Sequence, residues 1–224
     1  MSSFFKASKK AEDLKTGGNH ITSSGIYPVS ILAPMVSVSR NGSTTIDFYV
    51  EHNGQKQSIY GNLRITNNDD TPNKIGAKVF NQLVIIAGLD DLAEPVEHDL
   101  PVGKKEAMKP VAVLEDLCDV DVMMRIQMEY GSYKGNITER KVIKAFFRAE
   151  DNASAEEIVN GTTPGAAFER EQKYVDHITY KDGVTAEQVA TWVAAGRPDG
   201  SGAAATETPN FGTRRSGFGK KKEA

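Results

Sequence analysis

The sequence is poor in cysteine and lacks long apolar runs. Its single cysteine among 224 residues, Cys118, excludes an internal disulfide framework and is typical of a reducing compartment. No apolar stretch approaches the roughly 20 residues that a membrane-spanning helix needs, and residues 1–18 lack the apolar core of a signal peptide. We therefore expect a soluble, cytoplasmic protein without a membrane partner.

Patterns that carry catalysis or hold a cofactor are also scarce. The four histidines have no metal-ligand spacing with one another or with Cys118, and no glycine-rich loop precedes a helix as a phosphate cradle would. We predict no catalytic residue, no metal site and no cofactor. Two acidic segments, 69–70 and 90–99, leave a metal-dependent nuclease as a distant alternative.

Charge of one sign is not in large excess. The chain has 27 Lys and Arg against 30 Asp and Glu, a net charge of -3. Any surface for nucleic acid must therefore come from local segregation of charge.

Composition divides the chain into four parts. Residues 1–20 are predicted to form a flexible, basic N-terminal arm, and residues 21–150 a nucleic-acid-binding domain. Residues 151–197 are predicted to be a helical extension. Residues 198–224 are rich in Gly, Ala and Thr and are predicted to be a disordered, basic tail.

The domain is predicted to contain five strands and one helix. A first strand at 25–39 contains two prolines and is expected to be long and bent. Strands at 43–52 and 55–66 alternate apolar and polar residues around an Asn-Gly turn. A helical stripe follows at 75–89, and the last two strands form a closing hairpin over 122–148.

The strand order β-β-β-α-β-β predicts an all-β fold with minor α structure, a five-stranded barrel of the oligonucleotide/oligosaccharide-binding (OB) type. A half-open sandwich is the alternative, but it needs more strands than the pattern supplies. The connection 90–119 is ambiguous: an acidic, proline-containing stretch precedes "KPVAVLEDL", which is compatible with a short helix. This connection could cover part of the outward face of the barrel.

The outward face predicts the function. In a small barrel the inward side chains fill the core, so we place Ile143, Ala145 and Phe147 inward and Phe146 outward. Aromatic rings that stack on bases, each worth about 1–3 kcal/mol, beside cations that contact phosphates are what single-strand binding needs. The predicted nucleic-acid-binding residues are Tyr49, Lys56, Tyr60, Arg64, Arg125, Tyr130, Tyr133, Lys134, Arg140, Lys144, Phe146 and Arg148.

A structural role competes with this interpretation at each position. Outward aromatic residues also form cross-strand pairs or lie under a covering helix, and cations on strands blunt edges. The main alternative is therefore an assembly module that uses the same aromatic face as a subunit interface.

Two helix starts are predicted in the extension. "SAEE" at 154–157 and "TAEQ" at 185–188 both have the capping-box pattern. The second opens a short amphipathic helix that carries the single tryptophan, Trp192. We expect this helix to dock onto the barrel or onto a second copy of the chain rather than recruit another protein.

The layout of residues 25–148 resembles that of phage-type single-stranded-DNA-binding proteins with an OB fold. The segments that carry the resemblance are "GIYPVSI", "TTIDFYV", "SIYGNLRI", "KVFNQLVIIAGL" and "MRIQMEYGSYKGNITERKVIKAFF". The resemblance implies a coat protein for single strands in replication and recombination, located in the host-cell cytoplasm if the chain is phage-encoded. Its implied partners are single-stranded DNA, with RNA as an alternative, further copies of itself, and replication or recombination proteins.

The C-terminal tail departs from the better-known bacterial members. Their tails end in acidic residues that recruit partner enzymes, whereas this chain ends in "NFGTRRSGFGKKKEA". A basic tail favours either weak, salt-sensitive contact with nucleic acid or a solubilising role.

Overall fold

A computed structural model describes residues 20–102 and 107–197, so the predicted tail and, apart from His20, the predicted N-terminal arm lie outside the described residues. Within the described ranges the chain forms eight strands, four helices and one 3₁₀ turn. The strands are β1 Gly25–Val38, β2 Thr44–His52, β3 Gln55–Arg64, β4 Val96–Val102, β5 Ala107–Val113, β6 Val120–Tyr133, β7 Asn136–Arg148 and β8 Thr179–Tyr180. The helices are α1 Lys74–Ile86, α2 Ala155–Asn160, α3 Ala166–Gln172 and α4 Ala186–Ala194, and the 3₁₀ turn is Glu115–Leu117.

The strands form one open sheet and not the closed five-stranded barrel that the sequence predicted. The sheet has the order β3-β2-β1-β5-β4, and β6 pairs with β1, β7 and β8. All pairs are antiparallel except β6 with β8. The predicted three strands, helix and hairpin are all present in that order. The predicted count is wrong because β4, β5 and β8 are additional, and the predicted closure is wrong because β3 and β7, both within the described ranges, form no ladder with each other.

The barrel does not close because β3 and β7 meet through side chains. Among the described residues, β3 is hydrogen-bonded in a ladder only to β2, and β7 only to β6. The Gln57 amide oxygen accepts from the Ile21 backbone N–H at 3.1 Å and from the Lys141 ammonium at 3.4 Å. Ile21 is 1% exposed and belongs to the main core. Ile21, which precedes β1, thus helps to fill the space between β3 and β7, where a closed barrel would have a ladder of backbone hydrogen bonds.

The bend in β1 explains where the additional hairpin attaches. A bulge between Ile31 and Ala33 interrupts the pairing of β1 with β2, as the two prolines led us to expect. Before the bulge β1 pairs with β6, and after it Met35 and Val36 pair with β5. The 90–119 connection is therefore mainly the β4–β5 hairpin. The interpretation of "KPVAVLEDL" as a helix is wrong apart from its 3₁₀ turn.

Helix α1 closes one side of the main core. Its buried residues include Val79, Leu83 and Val84, which confirms the predicted helical stripe. The helix begins after Asn73, whose side chain accepts the N–H of Gly76 at 3.0 Å. A Cβ atom at Gly76 would lie 2.0 Å from the carbonyl oxygen of Arg64, so the close packing of α1 on the end of β3 requires glycine.

A bulge in β7 reverses the predicted facing of its phenylalanines. Arg125 pairs with Ala145 but Ile126 pairs with Ile143, which leaves Lys144 as an extra residue. Because the alternation shifts at that point, Phe146 enters the main core, where it is 1% exposed and contacts Phe48. Our outward placement of Phe146 is wrong. Phe147, which we placed in the barrel core, instead packs against Phe168 of α3 and is also buried.

The C-terminal extension folds back onto the β6–β7 hairpin. Both predicted capping boxes are present, at Ser154 with Glu157 and at Thr185 with Gln188. Trp192 of α4 is 6% exposed and forms a small core that includes Tyr130, which confirms docking within the chain. No helix in the described ranges is long and apolar enough to cross a membrane.

Candidate nucleic-acid interface

The face of β1, β2 and β3 opposite the main core carries two tyrosines. Phe48 points into the core, so the neighbouring Tyr49 points to the other side of the sheet. Tyr49 and Tyr60 both pack, half-buried, against a small apolar cluster formed by Ala33 and Met35 of β1 with residues of β4 and β5. We call this surface the outer groove, with the residues Ala33, Met35, Tyr49, Tyr60, Val102 and Val113.

Two predicted cations lie on the same face as these tyrosines. Residues that pair directly across two strands share a face, and Lys56 pairs with Glu51 while Arg64 pairs with Thr45. Glu51 lies two residues from Tyr49 and therefore on its side of the sheet. Lys56 and Arg64 are both exposed. The outer groove thus has aromatic rings in its lining and cations along β3.

Carboxylates on the same face limit its positive charge. Asp47 is 9% exposed and lies 3.5 Å from the Ser37 hydroxyl, which donates to it. Glu51 is half-buried and lies directly across from Lys56. The face therefore mixes charges, and its cations extend further into solvent than its carboxylates do.

The tip of the β6–β7 hairpin presents a second aromatic and cation pair. Tyr133 is 65% exposed, and the Lys134 ammonium lies 5.3 Å from the centre of its ring. Lys134 and Gly135 both have positive φ, of 52° and 83°, as a tight two-residue turn requires. β6 pairs with β1 only as far as Ile126, so the tip extends roughly 23 Å beyond that ladder at about 3.3 Å per residue.

Arg125 is buried and is not part of an exposed face. Its side chain is 2% exposed, and its guanidinium donates to the carbonyl oxygens of Ile126 and Tyr174. Its Nε lies 3.7 Å from a carboxylate oxygen of Glu171. Burial lowers the pKa of Arg125, and the nearby Glu171 carboxylate opposes that shift. This arginine holds the segment after α3 against β6.

Tyr130 is likewise enclosed by the extension. It is 5% exposed, lies edge-on to Trp192 and stacks with Tyr180. Its hydroxyl donates to Glu139 at 3.1 Å, and that carboxylate also accepts from Arg197 at 3.2 Å. Burial, and then the Glu139 carboxylate, raise the pKa of Tyr130 to about 12. A ring held in this way is not available to stack on a base.

The three remaining cations of β7 differ in their exposure and in their ion pairing. Arg140 and Lys144 are exposed, and Lys144 is the extra residue of the bulge. Arg148 is half-buried and forms two hydrogen bonds with Asp151, at 2.9 and 2.6 Å. These bonds raise the pKa of Arg148 and lower that of Asp151. The Arg148 charge is therefore largely compensated within the chain.

Sequence reasoning missed the β4–β5 hairpin as a wall of the outer groove. Val102 and Val113 are buried in the apolar cluster, and Leu100 and Val111 pack against it. The missed signal was the alternation of Leu100 with Val102 and of Val111 with Val113 on either side of a turn. The acidic content of the connection concealed this alternation.

The first acidic segment closes a loop through Asp69, and the second leads into β4. Asp69 accepts the hydroxyl of Thr71 at 2.6 Å, which lowers the pKa of Asp69. Asp116 accepts the N–H of Ala93 at 2.8 Å and so fixes the segment that leads into β4. No group of three or more His, Cys, Asp or Glu residues could hold a metal ion within 20–102 and 107–197.

Comparison with known proteins adds no family to this description. The sequence matches no protein-family model, and it has no significant match among curated proteins.

Proposed function

We propose that this chain is a non-catalytic, sequence-tolerant single-stranded-DNA-binding protein that acts in replication or recombination. The observation that carries the proposal is the outer groove, where two partly exposed tyrosines share a face with Lys56 and Arg64. Bases stack on aromatic rings regardless of sequence, because every base has a π-face, and cations beside the rings contact the phosphates.

The packing of the rings supports this use of the groove. Tyr49 and Tyr60 rest on the apolar cluster formed by β1 and the β4–β5 hairpin and keep part of their surface exposed. A ring already held in place loses little conformational freedom when a base stacks on it, which favours binding. By contrast, the buried Tyr130 and Phe146 are only 5% and 1% exposed.

The direct test is fluorescence polarisation of a labelled oligo-dT at two salt concentrations. We expect binding that weakens steeply with salt, since phosphate contacts release counterions. Tyr60→Leu retains apolar packing but removes the aromatic ring, and should raise the Kd by about 5- to 150-fold, equivalent to about 1–3 kcal/mol per stacked base. Tyr60→Phe retains the ring and should bind almost as the wild type does.

Tyr174→Leu is the matched control, because Tyr174 is 64% exposed and lies in the C-terminal extension. It should leave the Kd unchanged within twofold. Failure of the wild type to bind at low salt, or equal losses in the two Leu variants, would contradict the proposal. Divalent-metal-dependent cleavage of the oligonucleotide would favour a nuclease, and a homo-oligomer lost on Tyr60→Leu would favour a subunit interface.

A further inference from the structure

The β4–β5 hairpin has two chemically distinct faces. Leu100 pairs with Lys109, and Val102 pairs with Ala107, so Lys109 lies on the face that carries the buried Val102. Val111 and Val113 continue this face toward β1, where Val113 pairs with Met35. Lys109 is therefore on the groove face of the hairpin, and it is exposed.

The carboxylates of the hairpin strands lie on the opposite face. Glu97 pairs with Ala112 and Asp99 with Pro110, in the positions that alternate with those of the groove face. The one titratable group of β4 on the groove side is His98, which lies 2.6 Å from Glu115 near the base of the hairpin. The described residues of β4 and β5 thus present the exposed Lys109 to the groove and their own carboxylates away from it.

We propose that the β4–β5 hairpin is the second wall of the binding groove and that Lys109 contacts a phosphate of the bound strand. This inference rests on the proposed function. Because Tyr49 and Tyr60 pack against the hairpin, the strand would lie over their exposed edges and alongside the hairpin. The cations Lys56 and Arg64 then lie on one side of the strand and Lys109 on the other, with the exposed parts of the two tyrosines between them.

The charge pattern supports a polyanion as the occupant. A protein partner would be recognised equally well by a hairpin with mixed charges on both faces. Here Glu97 and Asp99 are confined to the side away from the groove, which reduces repulsion of phosphates from the groove itself.

The test measures the slope of log Kd against log salt for oligo-dT with Lys109→Ala. One phosphate contact to a single strand contributes about 0.7 to this slope, so the variant should lose about 0.7 and bind about fivefold more weakly at roughly 0.1 M salt. Lys109→Arg retains the charge and should restore both values. Lys78→Ala removes an exposed lysine from α1 and is the matched control, with an unchanged slope.

The outcomes separate this inference from the proposed function. Wild-type protein that fails to bind oligo-dT overturns both. Binding that weakens with Tyr60→Leu but keeps its slope and Kd with Lys109→Ala overturns the role of the hairpin alone. A change in Lys109→Ala that Lys78→Ala reproduces also overturns it, because any surface lysine would then act equally.

Discussion

The outer groove with its neighbours Lys56 and Arg64, and the β6–β7 hairpin, have the same mixture of tyrosine, lysine and arginine. Their side chains nevertheless differ in burial. In the groove, Tyr49 and Tyr60 stay partly exposed beside exposed cations. In the hairpin, Arg125 and Tyr130 are buried and only the tip and a few cations remain exposed. The comparison shows that alternation indicates the face of a side chain where no bulge interrupts the strand, whereas the elements packed on that face decide how much of the side chain is exposed.

The cover over the hairpin is the C-terminal extension. Helix α4 places Trp192 against Tyr130, and α3 places Phe168 against Phe147. The segment after α3 accepts a hydrogen bond from Arg125 at the carbonyl oxygen of Tyr174. A basic and aromatic strand can therefore be an attachment surface for the rest of its own chain.

The largest effect should come from Phe146→Ala. Phe146 is 1% exposed in the main core, so removal of its ring should cost about 3–5 kcal/mol of unfolding free energy. Urea denaturation followed by circular dichroism measures this loss. Tyr133→Ala, at a position 65% exposed, should cost under about 0.5 kcal/mol. Similar losses in the two variants would show that Phe146 is not a core residue.

Much of the fold could be predicted from local sequence signals. The Asn-Gly turn, the stripe of α1 and both capping boxes follow from rules that act over a few residues. The bulge at Lys144 could not be predicted, because the alternation on each side of it is regular and nothing local marks the extra residue.

Part of the candidate site could also be predicted, because its residues follow from local strand alternation. Tyr49, Lys56, Tyr60 and Arg64 share a face because strand alternation is local. The burial of Arg125 and Tyr130 depends on Tyr174 and Trp192, which lie 49 and 62 positions later in the chain, so no window around either residue reveals it. The β4–β5 hairpin was missed because its partner strand, β1, is distant in sequence.

Arg125→Met should destabilise the protein without affecting binding. Methionine retains the apolar stem but removes the guanidinium that donates to the carbonyl oxygens of Ile126 and Tyr174, at a cost of about 3 kcal/mol. Thermal unfolding measures the loss. The Kd for oligo-dT, measured well below the unfolding temperature, should stay within twofold of wild type. A weakened Kd with unchanged stability would instead place Arg125 at the binding surface.

Glu157→Gln should weaken the attachment of α2 to α3 in the C-terminal extension at neutral pH and so lower the unfolding free energy. The Glu157 carboxylate accepts from Ser154 at the start of α2 and from Gly165 and Ala167 at the start of α3, so it ties the two helices together. Replacement by an amide should cost about 1 kcal/mol, as the loss of a helix cap does. The unfolding free energy at pH 7 measures this cost, and Glu169→Gln, on the exposed side of α3, is the control.

The pH dependence of the same variant is a sharper test. Hydrogen bonds, with that from the Ser154 N–H the largest cause, lower the pKa of Glu157 from 4.5 to about 2. A carboxyl group whose pKa is lower in the folded state stabilises fully above pH 4.5 and loses that contribution as the pH falls toward 2. The difference in unfolding free energy between wild type and Glu157→Gln should therefore shrink across this range. A constant difference would show that the carboxylate charge has no part in holding the cover.

The smallest effect, and the one most specific to the groove, should come from Glu51→Gln. Glu51 lies directly across from Lys56 on the groove face, where its negative charge repels a phosphate and partly neutralises the cation. Its removal should tighten the binding of oligo-dT by about two- to threefold, in keeping with about 0.5 kcal/mol for an exposed charge pair. The gain should fade as salt is raised, because the interaction is screened.

Glu97→Gln is the matched control, since Glu97 lies on the face of the β4–β5 hairpin that points away from the groove. Both variants change the net charge equally, so any effect of overall charge on association appears in both. A gain for Glu51→Gln alone would locate the bound strand on the face shared by Tyr49 and Lys56. An equal gain in the two variants would mean that DNA responds only to net charge, and the contrast between the groove and the rest of the surface would then fail.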